Sequence, residues 1–301
     1  IDHHYEEGFS VGIMTSAPIL GVVIPPSISM ILYAMVTNDS LEALFLTGFI
    51  PGLLIILGMS VYAFFYSRRH HFETLERLPF REVITVVREG IWALALPLII
   101  FGGIYSGLFT ANEAAVVACF YAFFVEVFIH KDMKLRDIKK VVISSAVTSA
   151  TLLIIVAGAS VFGEYLTFEQ IPGKIAAAVV ENVSSPWMFL LAVNILLLII
   201  GMFMDIISAT LILTPIFLPL LAKFGIDTLH FGLLMTINLG IGYCTPPLGV
   251  SLYISSTVVD RDLLFVSRAV LPFLAIQTAI LILLTYWPDL VLFLPRLVYG
   301  P

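Results

Sequence analysis

The chain has 301 residues, of which 60% are hydrophobic and only 12% are charged, and its formal net charge is −6. Because soluble domains contain about 25% charged residues, this composition excludes an ordinary soluble protein. The apolar runs repeatedly exceed the roughly 20 residues that a helix needs to cross a bilayer, and none alternates as barrel strands do. We therefore predict an all-α, polytopic membrane protein.

The start of the chain and its polar side chains bear on other protein classes. The chain begins without methionine in the polar run IDHHYEEG, which lacks signal-peptide organisation, so we expect the later portion of a longer protein. Six histidines form no HExxH pattern, and Cys119 and Cys244 lie inside apolar segments rather than in a disulfide framework. Because neither a nucleophile motif nor a metal-ligand spacing appears, we expect no enzyme, and we expect no nucleic-acid partner.

Eight apolar segments predict the membrane helices in chain order. Proline inside a helix removes a backbone hydrogen bond, so Pro25-Pro26 should break the first segment and Pro246-Pro247 the seventh. The sixth segment contains Asp205 and is long enough for two helical pieces. The predicted segments are 9–37, 41–67, 91–109, 112–130, 141–166, 187–222, 228–259 and 263–287.

Lysine and arginine set the predicted orientation. The loops 68–90 and 131–140 each hold five basic residues, whereas the connection FTANEA between them holds none. By the positive-inside rule, both basic loops are cytoplasmic and the connection is external. The loop 68–90 alternates charged with apolar residues, which favours an amphipathic helix along the inner surface; a solvated loop is the alternative.

The stretch ASVFGEYLTFEQIPGKIAAAV, residues 159–179, has a different pattern. A helix should end near Gly163, and a polar tip, TFEQIPG, and a returning run of small residues should follow. The returning run is too short and too rich in alanine for a full span. A re-entrant hairpin and a simple extracellular loop both fit this pattern.

The chain carries an internal repeat with a shift of 221 residues. The coinciding residues are mostly helix breakers and segment starts. By the charge rule, segment 41–67 runs from outside to inside, and its equivalent 263–287 runs from inside to outside. Such an inverted repeat is typical of secondary transporters, whose sites lie where broken helices meet. The coinciding residues are Met14-Thr15 with Met235-Thr236, Gly21 with Gly242, Pro25-Pro26 with Pro246-Pro247, Asp39 with Asp260, and Pro51 with Pro272.

Polar groups at membrane depth are the candidate site residues. The Pro-Pro breaks free backbone carbonyls that suit a hard cation such as Na⁺, although structural kinks would give the same sequence. Asp205 lies deepest in apolar sequence, where a charge costs about 2.5–3.5 kcal/mol, so it is either functional or a hydrogen-bonded structural residue. Asn194 and Asn238 should form interhelical hydrogen bonds, and Asn238, just before the second break, is also a candidate cation ligand.

Neither lysine nor arginine lies at the midplane of a predicted span. We therefore expect hydroxyls and helix N-termini to bind the transported solute. The candidate substrate-binding residues are Ser27, Ser29 and Ser251, which lie beyond the breaks, together with Asp205.

One known family resembles this chain over essentially its whole length. The strings that carry the resemblance are GVVIPPSISMILYAMVT, LPLIIFGGIYSGLFTANEAAVVA, LTFEQIP and GMFMDIISATLILTPIFLPLLAKFGIDTLHFGLLMTINLGIGYCTPPLGVSLY. They are similar to the large membrane subunit of tripartite ATP-independent periplasmic (TRAP) transporters. The resemblance implies import of a small organic acid, such as a C4-dicarboxylate or sialic acid, across the bacterial inner membrane with Na⁺ as the coupling ion. It also implies three kinds of partner: a small membrane subunit, a periplasmic solute-binding protein and membrane lipid.

The resemblance further implies cation sites and an elevator-type architecture, in which a transport domain moves against a scaffold. Pro18 departs from the GTLG pattern that the family often shows at residues 18–21. The implied ligands are Ser16, Ala17 and Gly21 for a first cation site, and Gly242, Thr245 and the hairpin residue Thr167 for a second. The implied domains are 1–40 and 141–259 for the transport domain, 41–140 for the scaffold helices with a cytoplasmic arm, and 260–301 for a terminal scaffold helix.

The residues alone leave two other transport classes open. Repeated broken helices can also frame the filter of a channel. The nearer alternative is a Na⁺- or H⁺-coupled anion transporter of related fold that works without a binding protein. Without the resemblance, the sequence supports an inverted-repeat secondary transporter and no finer assignment.

Overall fold

The computed structural model describes residues 6–70, 79–134, 136–183 and 185–300, and all regular elements within them are helical. Seven helical segments of these residues are long and apolar enough to cross a membrane, and a bent helix makes a possible eighth. The all-α, polytopic class is therefore confirmed. The helices are α1 (Glu7–Ser16), α2 (Ile19–Val23), α3 (Ile28–Thr37), α4 (Leu41–His70), α5 (Phe80–Tyr105), α6 (Ala111–Phe124, continued by the π-helical turn Val125–His130), α7 (Ile138–Phe168), α8 (Ile171–Asn182), α9 (Pro186–Phe203), α10 (Ile206–Phe224), α11 (Thr228–Gly242), α12 (Val250–Val259), α13 (Leu263–Tyr286) and α14 (Pro288–Tyr299).

Both Pro-Pro motifs interrupt their spans, as predicted. The first span is α1–α2–α3, with a joint at residues 17–18 and a break at residues 24–27, and the second is α11–α12, with a break at residues 243–249. Proline cannot donate to the helical ladder and restricts the residue before it, which ends each helix at these positions. The bond between the two prolines is cis in both motifs.

The two broken spans pack side by side and run antiparallel. Several side-chain contacts join them, and in four of these each successive residue along α1–α3 meets a residue nearer the start of α11–α12. The opposite directions agree with the inverted repeat that the charges predict. The contacts are Glu7 to Arg261 (2.7 and 2.8 Å), Thr15 to Ser255 (2.8 Å), Ser29 to Thr236 (3.5 Å) and Tyr33 to the carbonyl of Thr228 (2.9 Å).

The predicted two pieces of segment 187–222 are the helices α9 and α10, and they form a hairpin. The chain turns between Phe203 and Ile206. At the other end of the hairpin, near the start of α9 and the end of α10, the rings of Phe189 and Phe224 stack with their centroids 4.6 Å apart. Asn194 of α9 accepts a hydrogen bond from Asn238 of α11 at 2.8 Å. This contact confirms the predicted interhelical role of both asparagines.

The stretch 159–179 differs from its prediction. Helix α7 does not end near Gly163 but continues to Phe168, because Gly163 stays in the helical ladder and its carbonyl also accepts the Thr167 hydroxyl at 2.9 Å. The turn is short and contains Gln170 in the left-handed region, with φ of 55°. In the predicted polar tip, residues 167–173, the helix α7 therefore extends to Phe168 and the helix α8 begins at Ile171.

The chain divides into two compact units, residues 1–73 with 156–301 and residues 74–155. The first unit surrounds α11, of which residues 230–242 are all buried. It also contains α4 and α13, which were assigned to the scaffold in the predicted domains. These units are defined by compactness and do not test the predicted transport and scaffold domains, so the boundaries at 40 and 259 stay a prediction.

Close backbone contacts explain why α4 and α13 belong with the broken spans. A Cβ atom added to Gly12 of α1 would lie 2.2 Å from the carbonyl oxygen of Ala269 in α13. A Cβ atom added to Gly48 of α4 would lie 2.2 Å from the carbonyl oxygen of Val23, beside the first break. Glycine allows these helices to approach more closely than any other residue would.

The second unit contains α5, α6 and the first part of α7. Helix α5 bends by 50° between Arg88 and Gly90, which fits a surface arm followed by a span. Part of the predicted amphipathic segment, residues 71–78, lies outside the described residues. Thr110 and Glu113 form a capping box that starts α6, and Tyr121 donates to the carbonyl of Trp92 at 2.8 Å.

Candidate functional site

A cavity of about 620 Å³ lies in the first unit where three chain interruptions meet. Its walls come from the first broken span, from the turn of the α9–α10 hairpin and from the second broken span. Gly201, near the end of α9, packs so closely on Gly242, the end of α11, that an added Cβ on Gly242 would lie 2.6 Å from the Cα of Gly201. This contact holds the hairpin turn beside the second break. The polar lining residues are Thr15, Ser27, Ser29, Asp205, Tyr243, Cys244, Ser251 and Ser255.

All four predicted substrate-binding residues line this one cavity. Ser27 and Ser29 come from the start of α3, Asp205 from the hairpin turn and Ser251 from the start of α12. Ser29 is buried and its hydroxyl lies 3.3 Å from that of Thr210 in α10. The structure therefore brings together residues up to 224 positions apart in the chain, as the inverted repeat requires.

Asp205 has a structural role and also faces the cavity. It is the N-cap of α10, and both of its carboxylate oxygens lie 3.1 Å from the backbone N–H of Ser208. A carboxylate at this position satisfies a free helix donor and complements the positive end of the helix dipole. The side chain is only half-buried and lines the cavity, so capping leaves it accessible to a ligand.

Three helices begin at or beside the cavity, and a helix N-terminus carries a partial positive charge. They are α3 after Ser27, α10 after Asp205 and α12 after Gly249. Free backbone N–H groups at helix N-termini are a common way to bind anions. Among the described residues that line the cavity, Asp205 has the sole carboxyl group and none is lysine or arginine.

Gly249 is required for the geometry of the second break. Its φ is +35°, and an added Cβ would lie 2.9 Å from the carbonyl oxygen of Thr245. Glycine is the residue that adopts such backbone angles without strain. The next helix, α12, can therefore start within the cavity wall and present Ser251 to it.

The residues implied for the first cation site have a different arrangement. Gly21 lines the cavity, whereas the Ser16 hydroxyl is buried and donates to the carbonyl of Gly12 at 2.8 Å. The carbonyls around the joint already accept hydrogen bonds, although each has a second lone pair for a ligand. The pairs are Cys244 Sγ to the carbonyl of Thr15 (3.3 Å), Gln277 Nε2 to that of Ser16 (3.1 Å), Leu20 N to that of Ala17 (3.0 Å) and Gly21 N to that of Pro18 (3.0 Å).

Sequence reasoning missed Gln277. It is fully buried in α13, donates to the carbonyl at the end of α1, and has an Oε1 atom without a hydrogen-bond partner among the described residues. The sequence does contain a feature that could have identified Gln277, because it is a side-chain amide in the middle of the apolar segment 263–287. Buried side-chain amides at such positions usually satisfy a specific backbone group.

The residues implied for the second cation site do not converge on the cavity. The Thr245 hydroxyl donates to the carbonyl of Ile241 at 2.7 Å, and Gly242 packs on α9. Asn238 is buried between α9 and α11, and its Oδ1 has no partner within the described part of the chain. Thr167 lies on a separate cavity, described below.

Comparison with known proteins identifies the family. A family model described as the tripartite ATP-independent periplasmic transporter, DctM component, matches residues 1–290. The chain is 44% identical over 292 residues to the C4-dicarboxylate TRAP transporter large permease protein DctM of Pseudomonas aeruginosa, covering 97% of this chain and 68% of the relative.

Two further relatives carry names with other substrates. The chain is 37% identical to the isethionate TRAP transporter permease protein DctMQ of Oleidesulfovibrio alaskensis, covering 97% of this chain and 46% of that protein. It is 35% identical to the sialic acid TRAP transporter large permease protein SiaM of Vibrio cholerae, covering 99% of this chain and 70% of that protein. These matches confirm the resemblance stated above, and the chain belongs to the DctM family of large permease components of TRAP transporters.

Proposed function

We propose that this chain carries a small organic anion into the cell across the bacterial inner membrane by symport with Na⁺. The observation that supports this proposal most directly is the cavity that two antiparallel broken spans and a hairpin turn line together. Secondary transporters bind their substrates where discontinuous helices meet near the midplane. A cavity of about 620 Å³ lies within the usual range of small-molecule sites, roughly 300–1,000 Å³.

The proposed substrate class is a small anion with a carboxylate or a sulfonate group. The relatives are named for C4-dicarboxylate, isethionate and sialic acid, which share such a group. Helix N-termini and hydroxyls favour anions, and the cavity offers three N-termini together with Ser27, Ser29 and Ser251. The lack of lysine and arginine among its described lining residues makes these donors the proposed anion ligands.

Asp205 supports the coupling to a cation. Its carboxylate would repel an incoming anion in a site of low dielectric constant. A bound Na⁺ would offset this repulsion, so binding of the cation and of the anion would favour each other. Backbone carbonyls and hydroxyls at the two breaks are oxygen ligands of the kind that Na⁺ accepts.

Two protein partners complete the proposal: a small membrane subunit and a periplasmic protein that delivers the solute, as a tripartite periplasmic transporter requires. Within the chain, α4 and α13 pack against the broken spans through glycine contacts. We propose that these helices move with the substrate cavity as one body. Helix α13 would then belong to the moving domain of an elevator.

Charge removal at Asp205 tests the proposed site. Asp205→Asn keeps a side chain that caps helices about as well as aspartate, so folding should persist while Na⁺-coupled uptake falls at least tenfold. Asp227→Asn is the matched control, because Asp227 caps α11 in the same way but is exposed and does not line the cavity. Uptake is measured in proteoliposomes that contain the complete transporter. Normal uptake by Asp205→Asn with unchanged Na⁺ dependence would exclude the assignment.

A melting experiment in Na⁺ against K⁺ at equal ionic strength tests the cation. A ligand of the folded state at 100 times its dissociation constant adds about 2.7 kcal/mol of stability. We expect Na⁺ to raise the melting temperature, and Thr245→Val to reduce this rise. Thr257→Val is the control, because the Thr257 hydroxyl also donates to a helical carbonyl, that of Tyr253, at 2.9 Å. Equal melting in both salts by a well-folded protein would favour coupling to protons instead.

A further inference from the structure

A second and larger cavity of the first unit, of about 1190 Å³, lies where α7, α8, α10 and the end of α3 approach one another. We propose that it binds a membrane phospholipid with a zwitterionic head group, such as an ethanolamine phospholipid. The acyl chain occupies the cavity, and the phosphate and ammonium groups meet Lys174 and Glu164 at its rim.

The walls of this cavity are apolar and leave room for a hydrocarbon chain. Small residues line α7 and α8, among them Ala159, Gly163 and Gly173. A Cβ atom added to Gly163 would meet only Pro215, at 3.9 Å, and one added to Gly173 would meet no atom within 4 Å. An apolar surface of this size is stabilised by acyl chains rather than by a small polar solute.

Helix α10 has two prolines along the same cavity, and each removes one donor of the helical ladder. Pro215 and Pro219 have no N–H group, so the carbonyls of Leu211 and Pro215 lose the donors that a regular helix supplies. Leu211 and both prolines line the cavity. Backbone carbonyls without partners are costly next to hydrocarbon. The ammonium group of the lipid carries three N–H donors, so it can donate to such a carbonyl as well as to Glu164.

Two opposite charges at the cavity have no ion-pair partner in the described part of the chain. Glu164 and Lys174 both line it, both are exposed, and neither takes part in an ion pair among the described residues. A head group that contains both a phosphate and an ammonium compensates both charges. A free carboxylate would satisfy Lys174 alone and would leave Glu164 and the apolar walls uncovered.

The position along α7 assigns the lipid to one leaflet. Helix α7 follows the basic loop 131–140 and has 31 residues, a length of about 46 Å, which exceeds the thickness of the hydrocarbon core. Since the basic loop is cytoplasmic by the positive-inside rule, Glu164 and Lys174 lie toward the outer surface. The head group therefore belongs to the outer leaflet.

Helix α10 connects this cavity to the proposed substrate cavity. It begins at the Asp205 cap, which lines the substrate cavity, and lines the lipid cavity from Leu211 to Pro219. Two internal prolines make this helix easier to bend than a regular one. A bound lipid can thus influence the position of the hairpin turn without contacting the substrate.

Native mass spectrometry and thermal melting of the full chain, with defined lipids added, test the site. We expect phosphatidylethanolamine to bind at least tenfold more tightly than phosphatidylglycerol, which lacks the ammonium group. Glu164→Gln and Lys174→Gln should each weaken this preference about tenfold, and Gly163→Leu should remove binding by filling the cavity. Lys223→Gln, an exposed lysine outside the cavity, is the control and should bind normally.

Melting without lipid separates a binding defect from a folding defect, and the two charge variants keep the test valid if Gly163→Leu does not fold. Equal affinity for both lipids, or unchanged affinity in both charge variants, would overturn the proposal. Stabilisation that succinate reproduces, and that Lys174→Gln abolishes, would also overturn it, because the cavity would then belong to the path of the solute.

Discussion

The packing of α1 on α13 gives a prediction that is independent of any ligand. Gly12→Ala places a Cβ atom 2.2 Å from the carbonyl oxygen of Ala269 and 2.9 Å from its carbonyl carbon. Both atoms belong to backbone, so the helices must separate, and such overpacking costs about 1–3 kcal/mol. Gly8→Ala, one turn earlier on the same helix, meets only Phe265 at 4.0 Å and should gain up to about 1 kcal/mol from helix propensity.

The two variants should therefore differ by about 1–4 kcal/mol in the free energy of unfolding. The assay is thermal denaturation followed with a thiol-reactive dye in a Cys119→Ser background, where the buried Cys244 reports unfolding. At roughly 2–4 °C per kcal/mol for a domain of 150–250 residues, the melting temperatures should differ by several degrees. Equal melting temperatures would refute the close contact of α1 with α13, and with it the inclusion of α13 in the moving body.

Two further substitutions test the contacts between the broken spans and their neighbours. Tyr33→Phe removes the hydrogen bond to the carbonyl of Thr228 but keeps the ring, so we expect a loss of about 1 kcal/mol in the same melting assay. Gln277→Leu leaves the carbonyl of Ser16 without its side-chain donor, and we expect a loss of about 1–3 kcal/mol together with an altered Na⁺ concentration dependence of uptake. An unchanged Na⁺ dependence would restrict Gln277 to a structural role.

The local part of this fold was predictable because it depends on backbone chemistry. Pro25-Pro26 and Pro246-Pro247 end helices wherever they occur, and both breaks lie where the sequence placed them. The antiparallel packing of the two broken spans agrees with the opposite directions that lysine and arginine predict, while their inside and outside ends stay a prediction. Asp205 was identified because a carboxylate in apolar sequence needs a partner, which the N–H of Ser208 supplies.

The parts that were missed depend on contacts between distant segments. The end of α1 is satisfied by Cys244 and Gln277, which lie 229 and 261 residues away from their carbonyl partners. Local propensity carries no information about such pairs. The stretch around Gly163 was misjudged for a different reason: glycine costs only about 1 kcal/mol in a helix, so α7 continues through it to Phe168.

The electrostatics of the substrate cavity suggest why it uses helix ends instead of basic side chains. A lysine or arginine in the cavity would hold its full charge at membrane depth even when no substrate is bound, and such charges are expensive there. Helix N-termini offer only partial charges and need no large side chain to reorganise. The one full charge among the described lining residues, Asp205, is negative and is bound to the start of α10. Under the proposed mechanism, that charge disfavours an anion that arrives alone and favours one that arrives with a cation, so coupling follows from the composition of the site.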